Sequence, residues 1–99
     1  MTILLLVNNR PAVASDALRS LNGRWQAGSY EIALDVSRLQ ANRNREKSFE
    51  WETMTIKNIT GSWVVFAIGA DTYFAMVEED TLYITRSGQG EGQVLRRIR

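Results

Sequence analysis

A chain of 99 residues with 44% apolar residues and a net charge of +1 is long enough for one domain with a modest core. It has no cysteine and no histidine, which excludes a disulfide framework, nitrogen or sulfur metal ligands, and the usual bases and thiol nucleophiles of enzymes. The near-zero net charge does not indicate nucleic-acid binding, and no apolar run approaches the ~18 residues that a membrane span needs.

The first residues allow two interpretations. Small residues at Ala12–Ala14 have the pattern of a signal-peptide cleavage site, although the apolar run Ile3–Val7 is short for a signal peptide and no basic residue precedes it. This interpretation requires an upstream start and predicts export, to the periplasm in a bacterium. In the alternative, Ile3–Val7 is a buried strand of the mature protein. Both are retained, with export slightly favoured.

The segment Pro11–Leu21 has the pattern of one short helix. Pro11 suits a first helical turn, and Asn22-Gly23 suits a left-handed end. Its apolar residues recur at helical spacing and form one stripe. They are Val13, Ala14, Ala17, Leu18 and Leu21. We therefore treat residues 1–22 as an N-terminal strand or signal remnant followed by a helix.

After Gly23 the apolar period changes to two, which is typical of half-buried strands. Tyr30–Val36 alternates cleanly and predicts the first clear strand. Ser37–Lys47 is polar and basic and predicts a loop. In the strand that follows, Phe49 and Trp51 have the opposite parity to Met54 and Ile56, so we expect a bulge near Glu52-Thr53.

The rest of the chain consists of short strand candidates separated by turn residues. The connections are too short for parallel crossovers, so the strands should form an antiparallel meander. A meander of six to eight strands hides its edges best by closing. We predict a mostly β domain over residues 23–99: a small antiparallel up-and-down barrel, or a strongly curled meander, after one short helix. The later strand candidates are residues 62–68, 72–77, 81–85 and 93–98.

One combination of features resembles a known group. A short helix, then Gly23-x-Trp25 at the first strand, then a meander and an arginine on the last strand resemble the calycin superfamily, which includes the lipocalins. The resemblance implies that Trp25 plugs one end of the barrel, that Gly23 lets the chain turn under it, and that a late arginine packs across the indole. Arg96 is assigned this role because it shares parity with Val94 and Ile98, and Arg97 is the second choice.

Without catalytic groups, the resemblance implies a small non-enzymatic binding protein, such as an exported inhibitor or scavenger acting through loops at the barrel mouth. The exposed carboxylates do not form an enclosed catalytic pair, and no metal or cofactor is expected. We predict that the basic loop contacts an acidic partner through Arg43 and Arg45. Trp51 and Trp63 are the aromatic candidates for partner or ligand contact, because their sequence neighbours are polar.

Two alternatives stay open at this point. The aromatic and methionine content is compatible with a carrier of a small apolar ligand inside the barrel, although a small barrel tends to fill its interior with its own side chains. The chain could also be a structural or self-associating module. In that case Tyr73, Ala75 and Val77 would form an outer apolar face.

Overall fold

Eight short strands, each hydrogen-bonded to the next, close into an antiparallel up-and-down barrel when the last strand pairs with the first. The computed structural model describes residues 16–98, and residues 16–21 form a helical segment ahead of the first strand. The strands are β1 (Gly23–Ala27), β2 (Tyr30–Asp35), β3 (Gln40–Asn42), β4 (Glu52–Thr60), β5 (Trp63–Ile68), β6 (Asp71–Glu78), β7 (Thr81–Arg86) and β8 (Gln93–Arg97). The predicted closed barrel is confirmed.

Alternating side chains of the strands point inward and fill the barrel. Phe66 and Tyr73 stack inside it with ring centroids 5.4 Å apart. Leu21 of the helical segment joins this core, so the helix covers one end. The largest fully buried side chains are Trp25, Phe66, Leu21, Ile32, Met54, Ile68, Leu82, Leu95 and Val64. Burial of these apolar surfaces is the main force that holds the barrel closed.

Two local predictions for the middle of the chain are wrong. The polar segment predicted as loop contains β3, whose central Ala41 is buried and whose pairing to β2 and β4 completes the barrel. The bulge lies between Ile56 and Asn58 rather than near Glu52-Thr53, and β4 begins only at Glu52. Phe49 and Trp51 therefore belong to the β3–β4 loop, and their parity says nothing about the strand.

The outer face proposed on β6 is also wrong. Tyr73 and Ala75 are buried, and Val77 packs against the core. The residues at the alternate positions, Phe74 and Met76 among them, point outward instead. The strand carries apolar residues on both faces, so its sequence does not reveal which set is inside.

The predicted strand at Ile3–Val7, the cleavage site at Ala12–Ala14 and the first part of the Pro11–Leu21 helix lie outside the described residues. Across residues 16–98 no helical stretch combines the length and the apolar character that crossing a membrane requires.

The alternating strand directions give the barrel two unlike ends. We call the end that meets the helical segment the helix end; it also carries the β2–β3, β4–β5 and β6–β7 turns. The opposite end, the loop end, carries the β1–β2 and β5–β6 turns and the longer β3–β4 and β7–β8 loops.

Candidate functional site

Trp25 closes the helix end of the barrel. Its side chain is fully buried, and the indole Nε1–H donates a hydrogen bond to the carbonyl oxygen of Leu21 at 2.9 Å. The guanidinium carbon of Arg97 lies 4.2 Å from the centroid of the indole ring, in a stacked cation–π contact. The indole therefore has a satisfied donor, an apolar surround and a cation on one face.

Arg97, and not Arg96, is the arginine that covers Trp25. Its Nη1 donates to the carbonyl of Asn22 at 2.7 Å and its Nη2 to that of Ser20 at 3.2 Å, while Nε reaches Asp80 at 3.1 Å. The assignment of Arg96 is wrong because β8 has the opposite parity: Leu95 and Arg97 point inward, and Arg96 is exposed.

The contact between Arg97 and the backbone requires glycine at position 23. Its φ of +134° is one that residues with a side chain rarely adopt, and a Cβ placed on it would lie 2.7 Å from Nη1 of Arg97. Glycine at this position therefore lets Arg97 approach the backbone and bond the carbonyls at the end of the helical segment.

Arg43 ties together the elements at the loop end. Its Nε and Nη2 donate to the two carboxylate oxygens of Glu52 at 2.7 and 2.6 Å, and its Nη1 donates to Asp71 at 2.6 Å and to the hydroxyl of Tyr73 at 3.1 Å. These hydrogen bonds raise the pKa of Arg43, with Glu52 contributing most, and the bond from Arg43 lowers the pKa of Glu52. We call these four residues the Arg43 cluster.

Tyr30 and Tyr73 line the loop end from inside the barrel. Burial raises the pKa of Tyr30, and the neighbouring Tyr73 adds to the effect. Both side chains, with Arg86 and Gln93 among others, border a small cavity of about 110 Å³. The loop end is thus lined by polar side chains, and a second concavity of about 450 Å³ lies there between Tyr30 and the start of the β3–β4 loop.

A large concavity lies on the outside of the barrel, between the outer face of β1–β2 and the β3–β4 loop. This cleft has a volume of about 630 Å³. Trp51 borders it from the loop and is 43% exposed. We call it the Trp51 cleft; its other lining residues include Arg24, Glu31, Asp35, Arg38, Asn42, Arg45 and Ser48.

The charges in the Trp51 cleft do not cancel. Arg24 pairs with Glu31 at 2.5 Å. Arg38 lies 3.9 Å from Asp35, whose pKa is lowered chiefly by a hydrogen bond from Ser37. Arg45 forms no ion pair with any other residue in the range 16–98. The two pairs leave one net positive charge in the cleft that the half-exposed Trp51 also lines.

A short network holds the loop that carries Arg45 and Trp51. Asn42 is buried, accepts a hydrogen bond from the backbone N–H of Asn44 at 2.7 Å and donates one to the carbonyl of Lys47 at 3.0 Å. Arg43 fixes the same loop to β4 and β6 through its cluster. The loop is therefore preorganised by residues that the sequence pattern predicted only as part of a polar and basic loop.

The four predicted contact residues separate into three places. Arg45 and Trp51 border the Trp51 cleft, where they lie on one wall. Arg43 is held by Glu52 and Asp71 in its cluster, and its role as a contact residue stays a prediction. Trp63 lies at the helix-end start of β5, away from the cleft, and is 44% exposed.

Sequence inspection did not single out Glu52, Asp71 or Asn42 as partners in this arrangement. Asp71 is 28 positions from Arg43, and nothing local in either segment indicates the contact. Asn42 carries a weak signal, since Asn42-x-Asn44 is a pattern in which a side-chain carbonyl caps a turn two residues on.

Comparison of the chain with protein-family models, curated proteins and solved structures finds no match. Among the described residues, no three or more carboxylates are grouped so that they could hold a metal ion. The function is therefore argued from the geometry alone.

Proposed function

We propose that this protein is a small non-enzymatic binding protein of calycin type, which recognises an acidic segment of a protein partner in the Trp51 cleft. The observation that supports it most is that Trp51 and Arg45 both line a cleft of about 630 Å³, whose ion pairs leave Arg45 without a counter-charge within the described chain. A carboxylate-bearing peptide supplies the missing negative charge and an apolar surface for the indole.

The calycin assignment is supported by the arrangement at the helix end. A helical segment, Gly23-x-Trp25 on the first strand, a closed meander and an arginine of the last strand stacked on the indole occur together. The chain departs from the calycin pattern in that its strands are short. This resemblance concerns the fold, and the class of ligand is inferred from the residues that line the cleft.

The cleft is favoured over the barrel interior as the binding site because the interior is occupied. Trp25, Phe66, Met54 and their neighbours are fully buried and pack against each other. An apolar ligand would have to displace these side chains, at a cost of core burial. The cavity that Tyr30 and Tyr73 border, about 110 Å³, is small for an apolar ligand.

A second exposed aromatic side chain belongs to the loop that carries Trp51. Phe49 is 79% exposed and lies two residues before Trp51 in the same loop. Aromatic and arginine side chains contribute most of the binding energy in many protein interfaces. We expect Trp51 and Arg45 to be the strongest contributors.

The test uses a panel of synthetic peptides of equal length, either rich in glutamate and aspartate or neutral, titrated against the full chain by calorimetry. We expect the acidic peptides to bind. Arg45→Glu should weaken that binding by at least about tenfold, because it replaces an attraction by a repulsion. Trp51→Ala should weaken it by a similar factor.

Two variants serve as matched controls. Trp63→Ala removes a tryptophan of equal exposure that lies outside the cleft, and Lys57→Glu makes the same charge reversal on the outside of β4. Both should bind as the unaltered chain does. Equal binding of acidic and neutral peptides, or undiminished binding by Arg45→Glu, would contradict the proposal.

A further inference from the structure

A continuous row of apolar side chains crosses the outside of four strands, on a different face from the Trp51 cleft. Trp63 of β5 is the register partner of Met76, Met76 of Tyr83, and Tyr83 of Val94. Their sequence neighbours Val64, Ala75, Leu82 and Leu95 are buried in the core, so the four side chains of the row point outward.

A second, shorter row lies beside the first. Val65 and Phe74 are register partners, and both also point outward. Phe74 is 42% exposed and Val94 is 55% exposed. We call the six residues of the two rows the apolar face.

This face is unusual because the outside of an antiparallel sheet with one buried side normally carries polar residues. The neighbouring strand follows that rule: Thr55, Lys57, Asn58 and Thr60 are exposed on β4. A contiguous apolar area of this kind marks an interaction surface rather than scattered exposure.

Charges of opposite sign lie at two corners of the face. In the next row toward the helix end, Thr81 is the register partner of both Glu78 and Arg96. Both charged residues are exposed, and neither forms an ion pair inside residues 16–98. They lie on either side of β7, one strand away from it in each direction.

We propose that the apolar face binds a second copy of this chain, with a twofold axis running along β7. A rotation about that axis places Tyr83 of one copy against Tyr83 of the other and Met76 against Val94. It also places Glu78 of each copy against Arg96 of the other, so the unpaired charges become two ion pairs. The face is therefore self-complementary in both apolar character and charge, as a twofold dimer requires.

The size of the face sets the expected strength. A specific interface of standard size buries about 800 Å² on each partner. Six apolar side chains per copy form a contact at or below that size. We expect a dimer that dissociates in the micromolar range and assembles as the concentration rises.

The experiment is sedimentation equilibrium of the full chain from low micromolar to near-millimolar concentration. We expect a concentration-dependent monomer–dimer equilibrium. Glu78→Arg and Arg96→Glu should each weaken self-association by at least about tenfold, because like charges then face each other across the axis. An equimolar mixture of these two variants should form a heterodimer, since both cross-axis pairs regain opposite charges.

Two further variants complete the design. Tyr83→Glu should abolish association by placing two carboxylates against each other, and Lys57→Glu, outside the face, should leave it unchanged. A chain that stays monomeric at the highest concentration overturns the proposal, and so does a mixture of Glu78→Arg and Arg96→Glu that fails to associate. A monomer that co-sediments with neutral phosphatidylcholine vesicles also overturns it, in favour of a lipid surface.

Discussion

Replacing Gly23 by alanine tests whether the helix-end closure depends on the close approach of Arg97 to the backbone. The added Cβ would lie 2.7 Å from Nη1 of Arg97, and the φ of +134° is unfavourable for any residue with a side chain. Such backbone conformations cost about 1–3 kcal/mol. Displacing Arg97 also weakens its charged hydrogen bond to Asn22, a bond of a class that contributes about 1.5–3 kcal/mol.

The expected total is smaller than the sum of these terms. The arginine side chain is long and can shift away from the new methyl group. Alanine also lowers the conformational entropy of the unfolded chain, which by itself stabilises the folded state by about 0.4–1 kcal/mol. We expect Gly23→Ala to lower the free energy of unfolding by about 2–4 kcal/mol. For a domain of this length, that corresponds to a fall in Tm of roughly 10 °C or more.

The assay is urea unfolding followed by far-ultraviolet circular dichroism, with Gly61→Ala as the control. Gly61 also has a positive φ, +61°, but nothing lies within 4 Å of its added Cβ, so only backbone strain is expected there. Combining Gly23→Ala with Arg97→Ala isolates the contact: the glycine substitution should cost less in that background. A cost no larger than that of Gly61→Ala, and unchanged when Arg97 is removed, would refute the reasoning.

Two other predictions concern the ends of the barrel. Trp25→Phe should lower the free energy of unfolding by about 2–4 kcal/mol, because phenylalanine leaves the Leu21 carbonyl without its donor and fills less space. Urea unfolding measures this change. A loss below about 1 kcal/mol would contradict the role of the indole donor. Because Arg43 holds the pKa of Glu52 below its ordinary value, the stabilisation from this carboxylate is present above about pH 4.3 and is lost as the pH falls through the lower folded-state pKa. The stability difference between the unaltered chain and Glu52→Gln, up to about 1 kcal/mol at neutral pH, should therefore shrink on acidification, and a difference that grows instead would reverse the assignment.

The barrel was predictable because its strands alternate and its turns are short. Tyr30–Asp35 and Thr81–Arg86 have clear inward sets, Ile32 and Leu34 in one and Leu82 and Ile84 in the other, and both inward sets are buried. Trp25 was found because glycine two residues before a tryptophan, at a change of period, is a local signal. Short connections then leave few arrangements other than a meander.

The errors occur where the sequence gives no local signal. In Val94-Leu95-Arg96-Arg97 both faces carry one apolar and one basic residue, so parity alone cannot choose the inward arginine. β3 has a single buried apolar residue, Ala41, and no period can be read from it. Arg43 resembles its basic neighbours in sequence, and its partner Asp71 lies on a strand 28 positions away.

The two ends of the barrel should contribute independently to stability but differently to binding. The contacts of Trp25 and those of Arg43 share no described residue, so the effects of Trp25→Phe and Arg43→Met on the free energy of unfolding should add within about 0.5 kcal/mol. Only Arg43→Met should weaken binding of acidic peptides, because it releases the loop that positions Arg45 and Trp51. Calorimetry at a temperature where both variants are folded checks this, and equal weakening by Trp25→Phe would show that the plug and the cleft are coupled.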